Sequence, residues 1–107
     1  DDYPRVEYET RYFLNDYANN QISIISGTAR GADRLGIRLA QEYGLGLIEM
    51  PAEWDIYGRS AGYIRNEKMA QIATHALIFW NQKSRGSRHM IEMAKKYKLD
   101  LKVVHFK

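Results

Sequence analysis

The residues of this chain that can do chemistry fall in three short stretches. In Ser26-Gly27-Thr28-Ala29-Arg30-Gly31-Ala32-Asp33-Arg34, glycines let the backbone approach an anion and Arg30 offers a fork of N–H donors that fits phosphate. Helical spacing follows, so a helix N-terminus with unpaired N–H groups and partial positive charge closes the stretch. Asp33 has two readings there, an N-cap for that helix or a partner for a ribose hydroxyl. The pattern is neither the dinucleotide fingerprint G-x-G-x-x-G nor a Walker loop. Trp80-Asn81-Gln82-Lys83-Ser84-Arg85-Gly86-Ser87-Arg88 repeats the same logic, either as a second phosphate-type cradle or as a connection made soluble by its charges. Between the two lies Pro51-Ala52-Glu53-Trp54-Asp55-Ile56-Tyr57-Gly58-Arg59-Ser60-Ala61-Gly62-Tyr63-Ile64-Arg65-Asn66-Glu67. Its aromatic faces can stack a base, its carboxylates can hold ribose hydroxyls, and Arg65 with Asn66 can fix a phosphate or a sugar edge. The competing reading is a tyrosine-rich loop packed on its own domain. Glu49 reads as an exposed acid at a strand end. His75 and His89 read as packing or surface residues, because no carboxylate or second histidine stands beside them at metal-binding spacing.

These stretches need a scaffold, and the hydrophobic pattern supplies one. Four short apolar runs, Gln21–Ser26, Leu45–Met50, His75–Trp80 and Leu101–Phe106, have the length and β-branched or aromatic content of buried strands. Helical spacing alternates with them. The first helix starts near Pro4 and buries Val6, Thr10, Phe13, Leu14 and Tyr17; the second carries Ala32, Leu35, Leu39, Ala40 and Tyr43 and stops at Gly44. A third runs from about Ala61 to Thr74, and a fourth from about Gly86 to Lys98 with Met90, Met93, Ala94 and Tyr97 inward. Strands alternating with helices of this length predict βαβ units and a parallel sheet. The series opens on a helix where a strand is expected, which predicts a further, central strand upstream of Asp1. In such sheets ligands bind beyond the carboxyl ends of the strands, where all three stretches begin.

Composition narrows the classes. A chain of 107 residues, 45% apolar and 27% charged, matches one globular domain and buries about 60–70% of its unfolded surface. The absence of cysteine excludes a disulfide framework, thiol catalysis and cysteine-rich zinc sites, and it is compatible with a cytoplasmic setting. No apolar run approaches a membrane span of about 20 residues, and no basic-then-apolar leader opens the chain, so neither insertion nor secretion is indicated. The net charge of +3 is uneven: residues 83–107 carry eight basic and two acidic side chains, a net of +6, which leaves −3 for the rest. Four of those cations fall on the last helix, and the group reads as a solvated outer face.

Four of these segments, in order, carry a family resemblance. They are Gly27-Thr28-Ala29-Arg30-Gly31-Ala32-Asp33-Arg34-Leu35-Gly36; Pro51-Ala52-Glu53-Trp54-Asp55 with Tyr57-Gly58; Ile64-Arg65-Asn66-Glu67-Lys68-Met69; and Ser84-Arg85-Gly86-Ser87-Arg88-His89-Met90-Ile91. Together, from about Ile22 onward, the chain resembles the YspA-like (YpsA-related) branch of the SLOG superfamily, whose members are common in bacteria and their phages. The resemblance implies a Rossmann-like three-layer αβα domain that binds nucleotides or nucleotide-derived ligands. It also implies a first strand ending in Gly-Ser-Arg or Gly-Gly-Arg ahead of Asp1.

Relatives that are phosphoribohydrolases use an arginine in an Arg-Lys-x-x-Met motif and a glutamate shortly after a Gly-Thr loop. Arg65 in Arg65-Asn66-Glu67-Lys68-Met69 is similar to the first. Gly86-Ser87 stands where Gly-Thr would, but Arg88, His89 and Met90 follow, and no carboxylate comes before Glu92. Cleaving an N-glycosidic bond calls for a nearby carboxylate, so Glu53, Asp55 or Glu67 would have to substitute. DNA-processing relatives bind single strands through a basic groove. Here Trp54, Tyr57 and Tyr63 lie apart in sequence from the strongest charge, which ranks nucleic acid below a small ligand.

The expectation is therefore a nucleotide-binding sensor domain, ADP-ribose- or NAD-like ligands included, with N-glycosidic hydrolysis as the alternative. Gly27, Thr28, Arg30 and Gly31 would take one phosphate, and Ser84, Arg85, Gly86 and Ser87 a second group. Arg65 and Asn66 would sit between, with Glu53, Trp54 and Asp55 on the sugar or base. Catalytic candidates are Arg65, Glu67 and Glu53. No metal or cofactor is called for, and pairing of two copies would cover unpaired strand edges.

Overall fold

In the computed structural model, residues 3–27 and 32–105 are described, with the backbone alone for Ala32 and Asp33. The chain divides into two compact units, Asp1–Pro51 and Ala52–Lys107. Each is built around one parallel strand pair joined by a helix.

In the first unit, helix α1 spans Tyr3–Phe13, strand β1 Ser23–Ser26, helix α2 Ala32–Tyr43 and strand β2 Gly46–Glu49. Tyr3 and Val6 of α1 and Leu39 and Ala40 of α2 are its buried apolar residues. Gly44 ends α2 in the left-handed region at φ 64°, as a C-terminal glycine does at low cost. Strand β1 pairs with β2 in parallel, Ser23 with Gly46 through Ser26 with Glu49. Gly46 is required there by space: a Cβ on it would lie 3.1 Å from the Ser23 Cβ.

Two side-chain clusters tie α1 to α2. The Tyr3 hydroxyl donates to Glu42 Oε2 at 2.7 Å, and the Arg38 guanidinium lies 3.9 Å over the Tyr3 ring while its Nε pairs with Glu42 at 3.2 Å. The Tyr43 hydroxyl donates to Glu7, and Arg11 lies 5.4 Å over the Tyr43 ring.

In the second unit, a short helix α3 (Trp54–Tyr57) and a 3-10 turn (Gly58–Ser60) lead into helix α4, Ala61–Ile72. Strand β3 (His75–Trp80), helix α5 (Arg85–Lys96) and strand β4 (Asp100–His105) follow. Ala76, Ile78, Ile91 and Ala94 form the core, with Trp80, Met90, Leu99, Leu101 and Val103 packed against it. No residue of β3 is exposed, which is how a strand covered on both faces reads. It pairs with β4 in parallel, from His75 with Asp100 to Trp80 with His105.

The four parallel strands and the mixed α/β character match the sequence expectation, with three differences. The strands pair as two two-stranded ladders, β1 with β2 and β3 with β4, where one four-stranded sheet was expected. Each crossover helix closes only its own βαβ pair. The first helix stops at Phe13, so Tyr17 lies past its end and is exposed; Asn15 and Asp16 favour the turn that forms there. Gln21, expected in the first strand, instead ends a 3-10 turn whose start it caps, its side-chain oxygen accepting the Ala18 N–H at 2.8 Å. Among the described residues, no helix is long and apolar enough to cross a membrane.

Candidate functional site

Of the first stretch, Gly27 is buried at the carboxyl end of β1, beside Ser26, which is 1% exposed. Thr28, Arg30, Gly31 and the side chain of Asp33 lie outside the described residues. Glu49, level with Ser26 in the parallel register, is exposed at the end of β2.

The second unit brings the other two stretches together. After β3, the Asn81 side-chain oxygen accepts the N–H groups of Lys83 and Ser84 at 2.8 and 2.9 Å, and Gln82 takes a positive φ of 69°. The Trp80 indole N–H donates to the Ser84 carbonyl at 3.1 Å. Ser84 then caps α5, its hydroxyl accepting the Ser87 N–H at 3.3 Å. The cap satisfies one of the helix's free donors and leaves the N–H groups of Arg85 and Gly86 pointing outward at the positive end of the helix dipole. Ser84, Arg85 and Gly86 are exposed, and Ser87 is half-buried.

Helix α4 meets this end of α5 through Asn66, which is only 6% exposed. Its Oδ1 accepts from Arg65 Nε at 3.1 Å, while its Nδ2 donates to the Gly86 carbonyl at 3.1 Å and faces His89 Nδ1 at 3.3 Å. Donation from the amide makes His89 Nδ1 the acceptor, so neutral His89 carries its proton on Nε2. Its ring packs on Tyr63 with centroids 4.5 Å apart. One buried amide thus fixes a guanidinium, the first turn of α5 and a histidine tautomer. Asn66, expected to contact a ligand, bonds protein partners with both ends of its amide.

Above the first turn of α4, a Cβ built on Gly62 would lie 3.5 Å from Trp54 Cη2 and 3.9 Å from Arg65 Nη2. The Trp54 ring and the Arg65 guanidinium thus both border the one position of that turn that has no side chain. Trp54 is 58% exposed. Lys68 borders this surface, 3.8 Å from Glu53 Oε1 and 5.5 Å from the centroid of the Tyr57 ring. Asp55 is exposed in the only turn of α3.

The three carboxylates named as possible substitutes differ in circumstance. Glu67 is held by Lys96 Nζ at 2.7 Å and the Tyr97 hydroxyl at 2.8 Å, and these two partners, Lys96 first, hold its carboxyl below the usual range. A carboxyl so held stays ionised at neutral pH, which suits an ion pair between α4 and α5 and opposes the role of a proton donor. Glu53 faces Lys68, and Asp55 stands in solvent. His89 and Lys68 join the site without having been read as members of it; only their place in the motifs surrounding Arg65 and Ser84 signals them. Among the described residues, no group of three or more His, Asp or Glu could hold a metal ion.

The arrangement is rich in donors. It can hold an anion at Arg65 and the start of α5, beside an aromatic surface. Comparison with family models, curated proteins and solved structures returns no match.

Proposed function

We propose that this chain is a binding domain for a nucleotide or nucleotide-derived ligand, acting as a sensor. The observation that carries the reading is the Asn66 amide, which holds the Arg65 guanidinium beside the open N-terminus of α5. A buried, fully bonded amide keeps a guanidinium oriented before any ligand arrives, which lowers the ordering cost of binding an anion. The resemblance to the SLOG superfamily supports the same reading, and with it a Rossmann-like three-layer arrangement. Binding without cleavage is favoured because Glu67 is committed to Lys96 and Tyr97 and Glu53 lies beside Lys68.

The test is thermal shift of the full chain against nucleoside mono-, di- and triphosphates, NAD and ADP-ribose, with chromatography of the incubated ligands. Stabilisation by at least one of them, with the ligand recovered intact, is expected. Arg65→Ala should weaken that binding about 10- to 100-fold, the effect of losing charge-assisted hydrogen bonds of about 1.5–3 kcal/mol. A free base and sugar phosphate among the products would replace the sensor by a hydrolase. Single-stranded DNA binding with a steep salt dependence, and no response to nucleotides, would replace both.

A further inference from the structure

Trp54 is an unusual side chain to leave in solvent. It is 58% exposed, and its indole N–H has no hydrogen-bond partner among the described residues. An indole buries a large apolar area when it packs, and its N–H usually finds an acceptor. Here one edge rests over Gly62, the one position of that turn without a Cβ, and Arg65 Nη2 lies 3.9 Å from that same Cβ position. Glu53, Lys68 and Tyr57 link to one another at the margin of α3. The result is a flat π surface with one edge over Gly62 and more than half of the residue in solvent, on the same turn as a guanidinium that Asn66 bonds.

We propose that the exposed part of the Trp54 ring stacks on the base of the bound nucleotide while Arg65 takes its phosphate, so that the ligand class is a nucleotide with its base intact and not a base-free sugar phosphate. This rests on the nucleotide reading above and narrows it. A pentose phosphate engages the guanidinium alone and leaves the indole wet; a nucleoside phosphate engages both groups with one molecule. Stacking of a base on an aromatic side chain is tolerant of base identity, so purines and pyrimidines both bind, ordered by stacking strength.

Calorimetry of the full chain with AMP, GMP, UMP and ribose 5-phosphate decides it. AMP and GMP are expected to bind about 5- to 100-fold more tightly than ribose 5-phosphate, the range a single stacked base contributes. Trp54→Leu should bring AMP down to the level of ribose 5-phosphate and leave ribose 5-phosphate unchanged, whereas Trp54→Phe should keep most of the preference. The ring is exposed, so these variants keep the core, and circular dichroism checks that they do. Equal affinity for AMP and ribose 5-phosphate, unaffected by Trp54→Leu, overturns the stacking role and leaves the nucleotide reading standing. Silence from all four probes overturns the ligand class and, where NAD and ADP-ribose are silent too, the nucleotide reading with it. If Trp54→Leu leaves AMP binding intact but separates a dimer on size-exclusion chromatography, the indole is a contact between copies and the proposal fails.

Discussion

Asn66 shows what a single side chain can decide and how little of that is visible along the chain. Its place beside Arg65 marks it as polar and as part of a motif, and sequence reasoning assigns it a ligand. Its partners are Gly86 and His89, twenty and more residues away, and only the fold brings them within 3.3 Å. The same separation hides His89, a lone histidine with no ligand-like neighbour in sequence that nonetheless stands against Tyr63 and Asn66. Arg65 suggests an anion from its type alone, because a guanidinium needs no partner to do so; a positioning amide does. Removing it should show in two readouts. Asn66→Ala leaves the Gly86 carbonyl without that donor and is expected to cost about 1–3 kcal/mol in urea denaturation. It should also weaken ligand binding, but not when Arg65 is already alanine. A double-mutant cycle reads that coupling, and full additivity of the two losses would mean that Asn66 does not act through Arg65.

At the scale of elements, legibility follows how strongly local chemistry constrains the backbone. Strand β3 is read residue for residue, because a six-residue apolar run between polar ends has few other uses. Helix α2 ends where Gly44 says it should. The end of α1 is misread because apolar spacing continues to Tyr17 while Asn15 and Asp16 prefer a turn, and spacing alone does not weigh the two. The short helix α3 falls below the length at which periodicity has meaning. The start of α5 is the instructive case: a serine before a glycine serves equally as a phosphate contact and as a cap, and Ser84 forms the cap. Ser84→Ala is expected to destabilise the second unit by about 1 kcal/mol, whereas Ser84→Asp should retain most of the stability. The aspartate would repel an anion at the same helix end, so stability retained with ligand binding lost is the expected pattern. Chemical denaturation followed by Trp54 and Trp80, with the thermal-shift ligands as probes, measures both.

Across the whole molecule, net charge is partitioned between the two units. The basic excess of residues 83–107 is partly spent, Lys96 on Glu67 and Arg88 on Glu92, while Arg85 and Lys95 are exposed on α5. In the first unit two phenols bond carboxylates, Tyr3 on Glu42 and Tyr43 on Glu7. Burial, then the hydrogen bond to Glu42, pushes the Tyr3 hydroxyl up to about 12 from its ordinary 10, and the hydrogen bond to Glu7 raises that of Tyr43. A raised phenol binds its proton more tightly in the folded state, so its contribution is whole below pH 10 and is lost as pH rises from 10 through 12. Glu42, held low by Tyr3 and then by Arg38, works in the other direction: its contribution is present above the ordinary carboxyl range and is lost as pH falls. Both tryptophans lie in the second unit, so their fluorescence reports on that unit directly, whereas far-UV ellipticity reports on both. Between pH 10 and 12 the far-UV ellipticity of the wild type should therefore become more sensitive to urea before tryptophan emission does. Tyr3→Phe cannot lose that proton; it should start less stable at pH 7 and decline less steeply above pH 10. Parallel declines for wild type and variant would show that Tyr3 does not hold α1 against α2 through its hydroxyl.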